Sequence, residues 1–320
     1  MRAVVFENYG APDVLEVRDV DRPVPGDREV MIKVHATTVT SAECDMREGK
    51  PRWGRIIIGF ARPRKRMRTL GNELAGEVEA VGKDVRRFRP GDQVFGFAGF
   101  NIGANAQYMC LPEGASLSLK PANTSYDEAA AAVDGPTTAL YFLRDKARIG
   151  PGQRVLVNGA CGSVGTYAVQ LAKHFGAHVT GVCGPDNVEL VRSLGADEVI
   201  DYTRQDFTSN TNSYDIVFDT VGKSSFAKCR KSLKPKGCYL PTTGLVNLLW
   251  MLGTSITRGK RVLTGMSVQK NQALAFVKQL IEDDQLTIVI DRRYSLEQIV
   301  EAHRYVDQGH KRGNVVVLVD

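Results

Sequence analysis

A glycine-rich segment between a strand-like run and a helix-like run holds the residues best suited to binding chemistry. Val155-Leu156-Val157 leads into this segment, and residues 166–175 after it carry apolar side chains at helical spacing. Gly162 would let the backbone turn tightly against a pyrophosphate, and Gly165 would let the helix pack closely on the strand. The helix start would offer its N–H groups to the phosphates. We predict a dinucleotide site formed by Gly159, Ala160, Gly162, Ser163, Val164 and Gly165.

The end of the next strand bears on which dinucleotide is bound. Enzymes that use NAD place an acid roughly twenty residues after the glycine turn, where it contacts the ribose 2′-hydroxyl. Here the strand ends in Cys183-Gly184-Pro185 without an acid, which leaves room for a 2′-phosphate. Asp186 would repel that phosphate if it pointed inward, but we interpret it as the cap of a helix that starts near Asn187. We predict NADPH in preference to NAD, with Cys183, Gly184 and Asn187 among its contacts.

The pattern of the whole chain predicts two domains of different type. Residues 1–119 show short β-branched runs separated by turns such as Pro90-Gly91-Asp92, which indicates a β-rich domain. From Tyr126 onward helices appear, and strands and helices then alternate, which predicts a doubly wound parallel sheet. The longest apolar run, residues 245–252, is too short to span a bilayer, and we predict that it is buried.

Composition and charge narrow the class of partner. The chain has 320 residues and a net charge of +6, with a pI of about 9.0, which suits an anionic ligand and would also favour nucleic acid. Its six cysteines include no CxxC pair, and residues 3–6 have the pattern of a strand. We expect reduced thiols, a cytoplasmic location, a small-molecule partner and no membrane partner.

Several motifs together resemble the medium-chain dehydrogenase/reductase superfamily, specifically its zinc-independent quinone oxidoreductase-like branch. The likeness covers essentially the whole chain, and the order and spacing of the motifs carry it. They are Gly71-Asn72-Glu73-Leu74-Ala75-Gly76, Phe88-Arg89-Pro90-Gly91-Asp92, the glycine turn, Leu194-Gly195-Ala196-Asp197, Phe218-Asp219-Thr220-Val221-Gly222 and Lys311-Arg312-Gly313-Asn314.

The resemblance implies a fold and further site residues. It implies a GroES-like β-rich domain at residues 1–120, completed by residues 265–320, and a Rossmann domain at residues 121–264. It also implies that Tyr202 and Arg312 contact the adenosine phosphate, Val221 and Gly244 the ribose and nicotinamide side, and Thr138 the nicotinamide amide. A homodimer is common in such proteins and is a possible state of this chain.

Zinc ligands of the zinc-dependent relatives are missing. Those relatives carry Gly-His-Glu where this chain has Gly71-Asn72-Glu73, and a cysteine ligand where it has Thr40-Ser41-Ala42. The region of the structural zinc holds only Cys110, although such a site needs four ligands. We therefore predict no metal. Cys44 lies near the ligand region, and we interpret it as a plain core or loop residue that remains a candidate for oxidation.

Loss of zinc limits the chemistry, because zinc acts as a Lewis acid that stabilises the alkoxide of a simple alcohol. A quinone or an α,β-unsaturated carbonyl disperses the incoming negative charge over its own π system. We predict a zinc-independent NADPH-dependent reductase of such acceptors. No residue is marked as the proton donor. Thr40 and Glu43 are substrate-loop candidates for catalysis, although we prefer a solvated surface acid as the interpretation of Glu43.

Two alternatives remain open. An enoyl-thioester reductase would use the same hydride chemistry on a phosphate-bearing carrier. An RNA-binding protein with a vestigial cofactor domain would use the basic cluster at residues 62–68, but only Trp53 and Phe60 flank it as aromatic side chains. We interpret the cluster as a solvated loop and do not expect nucleic acid as a partner.

Overall fold

The computed structural model describes residues 1–244, 246–256 and 259–319. Contacts divide the chain into two compact units, one of Met1–Asp134 with Val268–Asp320 and one of Gly135–Ser267. The sequence analysis places the first boundary at residue 120. The described contacts place helix Tyr126–Ala131 with the first unit, because it packs on four strands of that unit's sheet.

The described residues form fifteen short β-strands. They are β1 Arg2–Val5, β2 Glu16–Asp19, β3 Glu29–Thr38, β4 Glu73–Val81, β5 Gln93–Phe97, β6 Tyr108–Pro112, β7 Ser116–Leu119, β8 Arg154–Asn158, β9 His178–Cys183, β10 Glu198–Asp201, β11 Tyr214–Asp219, β12 Leu233–Pro241, β13 Arg261–Val262, β14 Ile290–Ser295 and β15 Asn314–Leu318.

The α-helices are mostly short. They are α1 Ser41–Glu48, α2 Arg55–Ile58, α3 Tyr126–Ala131, α4 Asp134–Leu140, α5 Ser163–His174, α6 Val188–Ser193, α7 Phe226–Cys229, α8 Val246–Ser255, α9 Asn271–Glu282 and α10 Ile299–Asp307. A π-helical segment, Tyr141–Lys146, continues α4.

The first unit is built on a seven-stranded, mainly antiparallel sheet. Its strand order is β14-β15-β3-β4-β5-β7, with β6 also paired to β3. The C-terminal strand β15 runs antiparallel to β3, so the C-terminal segment of the chain contributes to the sheet of the first unit. Val30, Ile32 and Val34 of β3 are buried in a core that also takes Val315 and Val317 from β15.

The second unit contains a six-stranded parallel sheet in the order β10-β9-β8-β11-β12-β13. Counted from β8, this is the 3-2-1-4-5-6 order of the Rossmann fold. Val155, Leu156 and Val157 are all fully buried, as expected for a parallel strand covered on both faces. The predicted fold class, a GroES-like β-rich domain with a Rossmann domain, is confirmed.

Helix α8 contradicts one prediction. The run at residues 245–252 was expected to be buried, and Leu245 lies outside the described residues. Val246, Leu249 and Leu252 of α8 are 64%, 70% and 62% exposed. Apolar residues lie on every side of this helix, so its sequence has no periodicity to show which side packs on the sheet. Among the described residues, no helix is long and apolar enough to cross a membrane.

Candidate functional site

The glycine turn lies at the point of the second unit's sheet where the direction of strand addition reverses. Strands β8 and β11 are neighbours, and the chain adds β9 and β10 on one side and β12 and β13 on the other. Ligands of such sheets bind beyond the carboxyl ends of the strands at this point. Residues 159–165 follow the carboxyl end of β8, and residues 220–224 follow that of β11.

Close contacts with neighbouring atoms explain why two positions of this turn are glycine. Gly159 has φ +82°, and a Cβ there would lie 2.1 Å from Val221 Cγ2. A Cβ on Gly165 would lie 2.0 Å from the carbonyl oxygen of Gly159, so only glycine allows α5 to approach the turn this closely. Gly159 and Ala160 both donate backbone N–H hydrogen bonds to the Val182 carbonyl at 3.0 Å. The turn is therefore held by backbone on both sides.

The start of α5 is suited to an anion. Its cap residue, Gly162, has no side chain to accept hydrogen bonds from the first turn. A Cβ on Gly162 would meet only the Gly159 carbonyl oxygen, at 3.5 Å, so a ligand can approach this backbone closely. The N–H groups of a helix's first turn have no acceptor within the helix, and the helix dipole adds partial positive charge. Ser163 and Val164, both half-buried, form this first turn.

Three predicted cofactor residues come together at the end of β9. The Tyr202 N–H donates to the Cys183 carbonyl at 3.1 Å. The Tyr202 hydroxyl lies 3.4 Å from where a Cβ on Gly184 would stand, and the Tyr202 side chain is 58% exposed. The contact between Tyr202 and Gly184 places an exposed phenol beside a strand end that has no acid.

The residues after Gly184 differ from the sequence interpretation. Asn187 caps α6 without a side-chain hydrogen bond, and its Oδ1 is buried with no partner in the described structure. Asp186 is exposed and belongs to a 3₁₀ turn, Pro185–Asn187, so its predicted role as helix cap is wrong. An unsatisfied buried oxygen on Asn187 is suited to a hydroxyl or N–H donor of a ligand.

Asp219 organises the loop that faces the glycine turn, and no role for it was predicted. Its buried carboxylate accepts hydrogen bonds from the backbone of Val221 at 3.2 Å and Gly222 at 3.1 Å. It also accepts from Asn158 Nδ2 at 3.0 Å, the Ser224 N–H at 3.2 Å and the Tyr239 hydroxyl at 2.8 Å. Five donors thus converge on one side chain that sets the position of Val221 against Gly159.

The remaining predicted cofactor residues are placed as follows. Thr138 is half-buried in α4, and Gly244, with φ +98°, follows β12. Val221 is 45% exposed. Arg312 is exposed in the first unit, where its backbone N–H donates to Asp291 Oδ2 at 2.8 Å. A role for each in cofactor binding stays a prediction.

The predicted substrate-loop residues form the start of a helix. The Thr40 N–H donates to Glu43 Oε2 at 2.9 Å, and the Glu43 N–H donates to Thr40 Oγ1 at 3.2 Å, a reciprocal capping box for α1. Glu43 is fully buried, so its interpretation as a solvated surface acid is wrong. The capping box uses only Oε2 of Glu43, and its Oε1 is buried without a hydrogen-bond partner in the described structure. Catalysis by Thr40 or Glu43 stays a prediction.

Glu43 belongs to a buried group of carboxyls in the first unit. Burial raises the pKa of Glu43 to about 7, against the opposing hydrogen bonds from Thr40. Burial raises the pKa of Glu73 as well, and the charge of Asp134 adds to the effect. The Asp134 N–H donates to Glu73 Oε1 at 2.5 Å, and Lys270 Nζ, also fully buried, lies 2.7 Å from Asp134 Oδ1. The buried cation of Lys270 therefore pairs with Asp134, the half-buried member of this group.

The raised pKa of Glu43 predicts that the protein is less stable at alkaline pH. A carboxyl with a raised folded-state pKa contributes its full stability below the unfolded value of 4.5 and loses it as the pH rises through about 7. Glu43→Gln keeps the capping box but has no charge to bury. We expect this variant to flatten the fall in the urea midpoint between pH 5.5 and 8.5, by the equivalent of about 2 kcal/mol.

Glu128→Gln is the matched control for this experiment. Glu128 occupies the same position in the capping box of α3, near the surface, where its Oε2 accepts from the Ser125 N–H at 2.8 Å. That substitution should leave the pH dependence of the urea midpoint as in the wild type. Equal slopes for wild type and Glu43→Gln would contradict the buried acid at α1.

Cys44 lies in a second buried polar group. His303 Nδ1 lies 3.4 Å from Cys44 Sγ and 3.1 Å from Arg47 Nη1, and Arg47 is fully buried. Burial and the nearby charge of Arg47 lower the pKa of His303 to about 3, and burial raises the pKa of the Cys44 thiol. Cys44 is therefore a buried, unreactive thiol, which agrees with its interpretation as a core residue.

The fold and the turn together define a class of protein. A Rossmann sheet whose glycine turn lies at the reversal point, joined in one chain to a GroES-like unit, is the architecture of dinucleotide-dependent dehydrogenases and reductases. The described residues fit such a cofactor, because the helix start and the space beside Gly162 suit its phosphates, and the unsatisfied Asn187 Oδ1 suits a ribose hydroxyl.

Comparison with known proteins narrows this class. The model of the alcohol dehydrogenase GroES-like domain matches residues 26–121, and that of the zinc-binding dehydrogenase family matches residues 194–317. A chloroplastic quinone-oxidoreductase, QR1 of Triphysaria versicolor, is 32% identical over 99% of this chain and 98% of its own length. The mitochondrial NAD(P)H oxidoreductase RTN4IP1 of Mus musculus is 32% identical over 100% and 89%. The solved quinone oxidoreductase of Coxiella burnetii is 28% identical, with a TM-score of 0.91 over 100% and 99%.

The chain belongs to the quinone oxidoreductase-like branch of the medium-chain dehydrogenase/reductase superfamily. It is an NAD(P)H-dependent oxidoreductase.

The zinc in the name of one matched family does not fit the residues present. Both carboxylate oxygens of Glu73 accept hydrogen bonds, one from Thr38 Oγ1 and one from the Asp134 N–H. The thiol and imidazole of Cys44 and His303 face the guanidinium of Arg47, which would repel a metal cation. No group of three or more His, Cys, Asp or Glu in the described ranges is arranged to hold a metal.

Proposed function

We propose that this chain transfers hydride from NADPH to a quinone or an α,β-unsaturated carbonyl without a catalytic metal. The observation that carries the proposal is the uncapped glycine turn at the sheet's reversal point, held against the loop that Asp219 organises. The names of the curated relatives, quinone oxidoreductases and NAD(P)H oxidoreductases, support this acceptor class.

The chain's own residues would bind and orient rather than react. When bound, the reduced nicotinamide supplies the hydride. The first turn of α5 would hold the pyrophosphate, while Val221, fixed through Asp219, would limit where the cofactor can lie beyond the turn. An electron-poor acceptor spreads the arriving charge over its own π system, so the protein needs no Lewis acid. The proton would come from solvent.

NADPH is proposed over NADH because of the end of β9. No acid stands at Cys183 or Gly184, and the hydroxyl of the exposed Tyr202, which lies beside Gly184, would donate to a 2′-phosphate. Asp186, two residues after Gly184, is exposed, and its side chain makes no helix-capping hydrogen bond. Its carboxylate can therefore turn toward solvent when a phosphate is present.

The test is a nicotinamide absorbance assay with the purified chain, in chelator, against ortho-quinones, para-quinones and enals. We expect turnover of at least one acceptor with NADPH, a kcat/KM about tenfold or more above that with NADH, and no loss of activity after prolonged chelation.

Each failure has a distinct meaning. Activity that disappears with chelation and returns with zinc would contradict the metal-free proposal. NADPH binding without turnover of any free acceptor, followed by turnover of an enoyl thioester, would replace the acceptor class. Absence of NADPH binding, with salt-sensitive retention of RNA, would favour the RNA-binding alternative.

A further inference from the structure

Helix α8 presents an apolar face to solvent. Val246, Leu249, Leu252 and Ile256, just past the helix end, recur every three or four residues and are 64%, 70%, 62% and 88% exposed. Residues with this spacing lie on one side of a helix. The opposite side of α8 packs against the sheet. Met251 contacts the core of the second unit, and Thr254 Oγ1 accepts a hydrogen bond from the Val262 N–H at 3.0 Å. We name the exposed side, with Trp250 at its edge, the α8 face.

Basic side chains lie beside this face. Trp250 contacts Phe226 of α7 at a ring centroid distance of 5.3 Å. Lys260 Nζ donates to the Arg230 carbonyl at 2.6 Å, which joins the residue after α7 to the segment after α8. Five basic side chains in these segments are exposed and take part in no ion pair within the described part of the chain, namely Lys223, Lys228, Arg230, Lys231 and Arg261.

The sequence around α8 has an unusual charge distribution. From residue 220 to residue 281 there are eleven Lys or Arg and no Asp or Glu, although acids make up 36 of the 320 residues of the chain. Three of the eleven, Lys234, Lys270 and Lys278, pair with acids outside this stretch, and Asp206 lies near Lys228. The five exposed basic side chains still leave a net positive charge beside the apolar side chains and the indole of the α8 face.

We propose that the α8 face docks on the surface of a lipid bilayer that contains anionic lipids. Leu249, Leu252 and Ile256 would enter the boundary between headgroups and acyl chains, and Trp250 would lie at the level of the headgroups. Lys228 of α7, Arg230 and Lys231 just after it, and Arg261 would meet the anionic headgroups. Since α8 is too short to cross a bilayer, it would lie in the plane of the interface.

A bilayer accounts for the charge better than a second copy of the chain does. In a symmetric dimer through this face, each patch would meet the same patch of its partner, so Lys228, Arg230 and Lys231 would approach other cations. An anionic bilayer neutralises these charges and covers the apolar residues at once. We expected no membrane partner because no apolar run is long enough to cross a bilayer. Docking on the surface of a bilayer does not require such a run.

The test uses the full chain with Trp53→Phe, which leaves Trp250 as the single indole because the chain has two tryptophans. Vesicles of phosphatidylcholine are compared with vesicles of an equimolar mixture of phosphatidylcholine and phosphatidylglycerol. We expect sedimentation with the anionic vesicles, a blue shift of Trp250 emission, and binding weakened by about tenfold or more in high salt. Neither cofactor nor acceptor is present, so a failed oxidoreductase assay would not affect this result.

Three variants locate the contact. Leu249→Glu/Leu252→Glu should abolish vesicle binding, and Lys228→Glu/Arg230→Glu should weaken it by about tenfold or more. Val24→Glu, at a side chain that is 84% exposed in the first unit, is the control and should bind as before. Thermal melting of each variant checks that it is folded.

Two results would overturn the proposal. The first is no binding to anionic vesicles, or binding that survives Leu249→Glu/Leu252→Glu. The second is a dimer in sedimentation that dissociates only in Leu249→Glu/Leu252→Glu, with Trp250 emission already blue-shifted before vesicles are added. That result would assign the α8 face to a contact between copies of this chain.

Discussion

Gly165→Asp should abolish binding of the reduced nicotinamide cofactor. Any Cβ at this position would stand 2.0 Å from the carbonyl oxygen of Gly159 and 2.9 Å from Ala160 Cα, so α5 would have to move away from the turn. A carboxylate there would also bring negative charge to the helix start that is to receive the phosphates. We expect the Kd for NADPH, measured by calorimetry or nucleotide fluorescence, to rise by about a hundredfold or more.

The control for this variant is Gly150→Asp, the same change in the same unit. Gly150 precedes β8, has no atom within 4 Å of where its Cβ would stand, and does not need a positive φ. It should bind NADPH with wild-type affinity. Gly165→Ala separates crowding from charge, because its methyl group alone meets the Gly159 carbonyl. Wild-type affinity in Gly165→Asp would remove the glycine turn from the site.

Asp219→Ala should lower both stability and cofactor affinity. The substitution leaves five donors without their shared acceptor, three of them the backbone N–H groups of Val221, Gly222 and Ser224. Buried donors without an acceptor are costly, and we expect the free energy of unfolding to fall by about 3–5 kcal/mol. With its anchor lost, the loop would no longer hold Val221 against Gly159, so the Kd for NADPH should rise by about tenfold or more.

Two further variants show whether Asp219 acts through this loop. Asp219→Asn keeps one acceptor oxygen and should give an intermediate loss of both affinity and stability. Asp215→Ala, on the same strand, removes the partly exposed partner of Lys234 at 2.7 Å and the acceptor of the Arg154 N–H at 2.8 Å, and should cost about 1–2 kcal/mol with unchanged affinity. Stability lost without any change in the Kd would show that Asp219 supports the core but not the site.

The glycine turn and the parallel sheet could be predicted because their signals are local. The strand Val155-Leu156-Val157, the turn and the apolar spacing of α5 lie within about twenty residues of one another, and each constrains the backbone directly. The absence of an acid at the end of β9 is likewise visible in a short stretch of sequence. The likeness to a known superfamily extended these local signals to the order of the whole chain.

The errors concern burial, which local sequence does not report. Glu43 is an acid at a helix start, a residue type that is usually exposed, yet it is fully buried in the first unit. Residues 246–252 are apolar except for Asn247, yet most of them face solvent, because the sheet covers only one side of α8. Side-chain type gives an average tendency to be buried, and the packing of other elements decides each case.

The sequence by itself determined the backbone of this protein's site: where the chain must turn, where a helix must begin, and that the strands alternate with helices. Only the tertiary structure decided which distant side chains meet. Cys44 and His303 are 259 positions apart, and Asp219 gathers donors from two strands other than its own and from a loop. Turns depend on the φ and ψ preferences of a few successive residues, whereas such meetings depend on how the strands pair and pack, which no short stretch of sequence contains.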